Sequence, residues 1–343
     1  MRIVFQIVQT HAKQRIPTVV LTFDTKKYFF NAPETLQRYL REHFIKFSKG
    51  SQIFLTQSST DHITGLFGFL LTLYEQKMAF NVCLYGPPGL ANYMDNIRFL
   101  FGYRILPYSV YDFASETPSK LLGIKTINLM EKVIGHQNYN KIFYKMNEYL
   151  SEVQKKNKAE INDAEENIKE GKYYKDELIE IHPVIVFPEG SQAKISICYI
   201  CKPNKIQGKV IKEKVDALKV PKKFISKIIE AGEYEVDGVT YRAKDIKEDD
   251  YPSPVVIVID CPSVEYIKSL CQDSIMAQYH ESKINLADAD VKAIIHMCPT
   301  EVLTHPEYIE FTSKFQKSCN HIFVNDNFTV DTTIDLTKQN QND

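Results

Sequence analysis

Residues 53–66, IFLTQSSTDHITGL, constrain this chain more than any other stretch. They read as a buried strand (IFLT), a polar loop, and an apolar helix that starts at Gly65 and runs to about Gln76. That order can carry metal chemistry. Imidazoles on alternate residues at a strand end point into one cavity. An Asp and a His from the following turn can then hold a second metal beside the first, and the pair makes hydroxide from water. Here Gln57 and Ser59 stand at the alternate positions, followed by Asp61 and His62. Neither Gln nor Ser is an ordinary zinc ligand. The loop keeps the shape of a dinuclear metal site and lacks half its ligands.

Composition narrows the frame. With 44% hydrophobic and 25% charged residues, the 343-residue chain is globular and long enough for one large domain or two ordinary ones. Lys+Arg 42 against Asp+Glu 43 leaves a net charge of −1, so any nucleic-acid surface must be local. Seven cysteines without framework spacing or a signal peptide suggest reduced thiols in an intracellular protein. No run approaches a membrane span. The start, MRIVFQIVQTHAKQR, is basic and free of acids, as a mitochondrial presequence would be, but its alternating apolar residues favour a first strand.

The chain continues with strands at IVFQIV, TVVLTF and Lys27 to Phe30, then a helix opened by Pro33 and Glu34. A strand from Asn81 to Tyr85 follows the organising stretch. Gly86-Pro87-Pro88-Gly89 then turns into a helix from Leu90 to about Phe101; it is no phosphate loop, because prolines remove amide donors and no Gly-Lys-Ser/Thr follows. Residues 151–180 are highly charged and read as a solvated helix or disordered insertion. Cys198 and Cys201 have C-x-x-C spacing without a second pair, and read as strand residues rather than a metal site. Residues 202–250 change character: Lys202 to Glu230 carries nine Lys against three acids, and Ala231 to Asp250 seven acids against three basic residues. This excursion reads either as a solvated helical hairpin or as a basic arm that touches phosphates. The buried strand Val255 to Ile259 ends in Asp260, and the strand Val291 to Ile295 leads to His296. Both can converge on Asp61 and His62. A helix after Pro306, the strand His321 to Val324 and a frayed tail at 331–343 complete the chain.

With these pieces placed, the chain resembles the amino-terminal half of long-form ribonuclease Z, or tRNase Z, the tRNA 3′-processing endonuclease of the metallo-β-lactamase superfamily. The ordered blocks that carry the resemblance are Tyr28 to Leu40, IFLTQSSTDHITGL, VCLYGPPGLANY, and CYICK with Gly208-Lys209. Leu218-Lys219-Val220-Pro221, VVIVIDCPS, IIHMCP and IFVNDN follow in order. The resemblance implies an α/β fold, a four-layer αββα sandwich over residues 1–330, with a charged insertion at 151–180, an inserted flexible arm at 202–250 and a disordered tail at 331–343. It implies that Gln57, Ser59, Asp61, His62, Asp260 and His296 mark a degenerate metal site holding no metal, the zinc belonging to the catalytic half. It implies tRNA contacts from the arm, with Lys222 and Lys223 at the tip, Lys205, Lys209, Lys212 and Lys214 along the stem, and Lys227 nearby. Family arms often carry Gly-Pro after the L-x-V/I-P step; here Lys222-Lys223-Phe224 follow Pro221.

Three readings follow. The chain is a non-catalytic tRNA-binding half that scaffolds a catalytic half, encoded with it or separately; an active zinc-dependent nuclease with an incomplete site; or a metal-free binding module with another partner. The first takes precursor tRNA and the catalytic half as partners and no membrane, and the resemblance implies a place in the nucleus or mitochondrion.

Overall fold

Alternation along the strands decides the layers. Side chains on a strand point to opposite faces in turn, so a fully apolar run buries both faces. In β12 (Ser253–Asp260), Val256 and Val258 enter one apolar cluster and Val255, Ile257 and Ile259 another. In β2 (Thr18–Thr22), β3 (Lys27–Phe30) and β4 (Gln52–Phe54), Leu21, Phe30 and Phe54 face inward while Val20, Phe29 and Ile53 face out. The structure is a computed structural model and describes residues 3–8, 16–77, 82–97, 108–113, 173–190, 194–324 and 332–335, apart from scattered positions inside those ranges.

One sheet takes β1 (Val4–Val8), β2, β3, β4, β5 (Val82–Gly86), β6 (Tyr108–Asp112) and β15 (Thr332–Asp335) in the order β15-β1-β2-β3-β4-β5-β6. The other runs β14 (Asn320–Val324), β13 (Ala289–Met297), β12, β9 (Ser196–Pro203), β8 (Ile179–Val186), β7 (Tyr174–Lys175). Their facing sides share one core, including Phe5, Phe54, Tyr85, Tyr199, Val258 and Ile295. Helices α1 (Leu36–Glu42) and α2 (Thr60–Glu75) cover the outside of the first sheet through Leu40, Leu66 and Leu70. The helices Ile267–Gln272 and Pro306–Ser313 cover the second through Leu270, Tyr308 and Phe311. The order is helix, sheet, sheet, helix. That is the expected four-layer sandwich.

Three expectations change. Helix α2 begins at Thr60, not Gly65, so Asp61 and His62 lie in its first turn. Gly65 is needed there for another reason: a Cβ on it would sit 1.8 Å from the Pro33 carbonyl oxygen. Its N–H donates to Ala32 O at 2.9 Å, and the bare backbone lets α2 dock against residues 32–33. The charged stretch 151–180 ends in ordered sheet, because Tyr174–Lys175 pairs with Glu180–Ile181; residues 151–172 lie outside the described residues. The 331–343 tail is also partly sheet, since Thr332–Asp335 pairs antiparallel with β1. Cys198 and Cys201 sit three residues apart on one strand and therefore on opposite faces, one in each core, where burial pushes both thiols up. That parity rules out joint metal binding.

The helix expected at Leu90 to Phe101 falls partly outside the described residues; Leu90, Ala91 and Met94 pack into the helix-side core.

Candidate functional site

The ends of β4, β12 and β13 meet at a cavity of about 210 Å³ lined by Gln57, Ser59, Asp61, His62, Asp260 and Met297, among others. Asp260, 1% exposed, is its hub. One carboxylate oxygen, Oδ2, accepts from Thr56 Oγ1 at 2.5 Å and bonds His62 Nε2 at 2.8 Å. The other, Oδ1, accepts from the Gln57 amide at 2.9 Å. His62 Nδ1 meets Ser59 Oγ at 2.5 Å. Behind Thr56, Asn31 holds a left-handed backbone (φ 66°), which Asn tolerates, and its Oδ1 accepts from Thr56 N at 2.9 Å. Its N–H donates to Phe54 O at 2.8 Å.

A zinc ion needs lone pairs directed into the cavity. Gln57 instead points its NH₂ at Asp260, and both ring nitrogens of His62 are engaged, one by Ser59 and one by Asp260. Both Asp260 oxygens are likewise taken by side-chain partners. Asp61 is exposed at the rim of the cavity. Among the described residues, no three His, Cys, Asp or Glu side chains come together in a way that could hold a metal ion. The residues do not fit zinc.

His296 does not join this cavity. Strand β13 extends to Met297, and its alternation turns Met297 toward the cavity and the shared core. The His296 ring goes to the other face, where Nδ1 meets Tyr308 Oη at 2.6 Å and Nε2 meets His321 Nδ1 at 3.0 Å. Burial and the neighbouring His321 drive its pKa down to about 3. Of the six residues expected at the degenerate site, five line the cavity and one belongs to the outer core. The sequence reading missed Asn31 and Thr56. A signal for Asn31 existed, because an Asn just past a strand end is a ready left-handed corner.

The arm leaves the sheet after β9 and returns at β12. Its stem is a narrow ribbon: Ile206 bridges Tyr251 and Val210 bridges Lys247. Gly208 lies between them. A Cβ on it would come 2.1 Å from Glu248 O, and its N–H donates to Asp250 Oδ1 at 2.9 Å. Gly208→Ala is therefore expected to pry the stem apart. Limited proteolysis should cut the arm at least several-fold faster, while the urea midpoint of the core stays unchanged; equal cutting rates would mean the stem yields without cost.

The base of the arm is pinned to the core. Asp288 takes Lys202 Nζ at 2.6 Å and Lys205 Nζ at 3.1 Å, and these bonds hold its carboxyl below the usual value. Ser253 Oγ donates to Pro203 O on the other leg. Lys205 is thus an anchor rather than a free phosphate ligand. Beyond the stem lies a head with its own core of Val215, Val220, Ile228, Ala243 and Ile246. It comprises the helices Lys212–Ala217, Ile225–Ala231 and Ala243–Ile246 and the hairpin of β10 (Glu233–Val236) and β11 (Val239–Arg242). A bare helical hairpin is therefore excluded. Lys212 and Lys214 are exposed on the head, not on the stem; Lys209 is exposed on the stem, and Lys223 and Lys227 on the head. Lys222 opens a short turn after Pro221, and its side chain lies outside the described residues.

The four layers and the cavity at the strand ends define a metallo-β-lactamase-fold protein. A crystal structure of a long-form RNase Z from yeast superposes on it with a TM-score of 0.52 at 13% identity, covering 96% of this chain and 37% of that one. Residues 7–65 match the family model described as tRNase Z endonuclease. Zinc phosphodiesterase ELAC protein 2 of Homo sapiens is 24% identical over 335 residues, which is 94% of this chain and 38% of the relative. The mitochondrial tRNAse Z TRZ4 of Arabidopsis thaliana is 26% identical over 322 residues, which is 89% of this chain and 30% of the relative. The chain is similar in sequence to tRNase Z proteins and in fold to a long-form RNase Z. It spans well under half the length of these curated relatives. Among the described residues, no helix is long and apolar enough to cross a membrane.

Proposed function

We propose that this chain is the non-catalytic, tRNA-binding half of a tRNA 3′-processing nuclease of the ribonuclease Z type. It holds precursor tRNA through the arm and scaffolds a catalytic half that carries the zinc. The observation that carries this reading is the arm itself: a head folded around its own core, bearing exposed Lys212, Lys214, Lys223 and Lys227, held off the sheets by a pinned stem. Double-helical RNA is recognised through phosphates and shape, for which lysines suffice. A chain with net charge −1 needs such a local cluster to hold a polyanion. A projecting head can grip one part of a folded RNA while a distant end lies in a partner's cavity. The Asp260 network supports the absence of catalysis in this half, because its donors and acceptors are used on one another. The names of the plant relatives support a mitochondrial place; a nuclear one rests on the resemblance alone.

Three measurements test this. The purified chain is expected to retain well under one equivalent of zinc after dialysis and to leave a 3′-extended precursor tRNA uncut, while binding that RNA in a salt-dependent way. Stoichiometric zinc with cleavage that Asp61→Ala or His62→Ala abolishes would sink the reading in favour of an active nuclease.

A further inference from the structure

Three half-buried aromatic rings, Phe224, Tyr234 and Tyr241, pack against the core of the head, and the first two lie side by side. Ile228 and Ile246 are fully buried at the centre of that core. Phe224 and Tyr234 sit at its rim, half-buried, with ring centroids 5.8 Å apart and planes 27° from parallel. Lys223 Nζ lies 4.8 Å from the Phe224 centroid. Lys227 Nζ lies 5.9 Å from the centroids of both rings. Both lysines are exposed, and among the described residues neither has a carboxylate partner.

An exposed ammonium over a ring is weakly held. A phosphate competes for it easily, and when the ammonium leaves, it uncovers the ring. A nucleotide brings both halves of that exchange, a negative phosphate and a flat base joined by one sugar. The head offers both complements, with cation and ring 4.8–5.9 Å apart. Bases inside an RNA duplex are out of reach, so the acceptable base is one left unstacked in a loop or at a corner between helices. The bland alternative is a rim that only completes the head's own packing. It accounts for the two rings but not for two lysines directed at them in place of acids.

We propose that Phe224 and Tyr234 form a stacking platform for an unpaired nucleobase of RNA, with Lys223 and Lys227 taking the adjoining phosphates. The proposal rests on the reading of the arm as an RNA-binding element and adds a base contact to it.

The chain contains no tryptophan, so Phe224→Trp introduces the sole indole and keeps a ring at the site. In the full chain, binding of an unmodified tRNA transcript, followed by anisotropy of a label on the RNA, is expected to quench that indole strongly. Phe224→Leu with Tyr234→Leu is expected to weaken tRNA binding roughly five- to tenfold, by a factor that persists at high salt, with the salt slope unchanged. Lys223→Gln with Lys227→Gln should instead flatten the slope. Binding by anisotropy with unaltered indole emission overturns the platform and leaves the arm reading standing. The same holds for equal affinity in the leucine variant. Loss of all tRNA binding in the parent chain overturns the arm reading itself. Because the indole variant preserves the ring, its emission decides the matter whatever the leucine variant does to the head.

Discussion

Asp260→Ala is expected to destabilise the fold by about 3–5 kcal/mol, the usual cost of removing one partner from a buried charged network. The carboxylate is almost fully buried and receives the Thr56 hydroxyl and the Gln57 amide, with the His62 imidazole bonded at 2.8 Å. Alanine would leave His62 Nε2, on a ring 3% exposed, without its partner, and the buried Thr56 hydroxyl with Asn31 Oδ1 alone. The partners come from opposite sheets. Asp260 ends β12 of one, while Thr56 and Gln57 follow β4 of the other. The loss therefore falls on the seam between the layers. Asp260→Asn keeps the shape and one acceptor oxygen and should cost clearly less. The measurement is the urea midpoint of the purified chain, compared at constant m-value. An unchanged midpoint in Asp260→Ala would show that the seam is held by the apolar core alone.

Deleting residues 204–250 is expected to abolish tRNA binding and to leave the sandwich folded. Pro203 and Ser253, on either side of the cut, already touch through the Ser253 hydroxyl, and β9 and β12 are antiparallel neighbours. Closing them is a hairpin problem, not a rearrangement. Within the intact arm, replacing Lys212, Lys214, Lys223 and Lys227 with Gln should lower the salt slope by about 0.9 for each lysine that meets a phosphate. Lys205→Gln should behave differently, since that ammonium is committed to Asp288. It should loosen the arm and reduce affinity without its own share of the slope. Retained affinity in the deletion, with its slope intact, would leave the arm as a solvated appendage.

Much of this was legible in the residues. The continuous apolar runs of β5, β9 and β12 announce buried strands, and the polar loop after IFLT announces the strand end where the cavity lies. What escaped the sequence depends on where elements stop. His296 reads as a strand-end residue only if the strand ends before it; the strand runs one residue past it, and parity sends the ring to the opposite face. Helix α2 begins early because the Ala32 N–H bonds the His62 carbonyl, a tertiary contact no local pattern encodes. The short strands β7 and β15 lie in charged and polar stretches, and partners far along the chain make them strands. Asp288, the anchor of the arm, gives no signal in a loop of ordinary composition.

The pairing of β15 with β1 bears on how the molecule is made. Val4 lies opposite Asp335 and Ile7 opposite Thr332, so β1 waits for a strand that is synthesised much later. Until then the free edge of β1 is an open template, able to recruit any extended segment, including its counterpart on a neighbouring nascent chain. The rest of that sheet can assemble during translation, because β2 to β6 are supplied in sequence order. Closure of the edge cannot begin until synthesis has passed residue 335. A cell that shields this edge during elongation would gain yield of folded protein without any change in the final state.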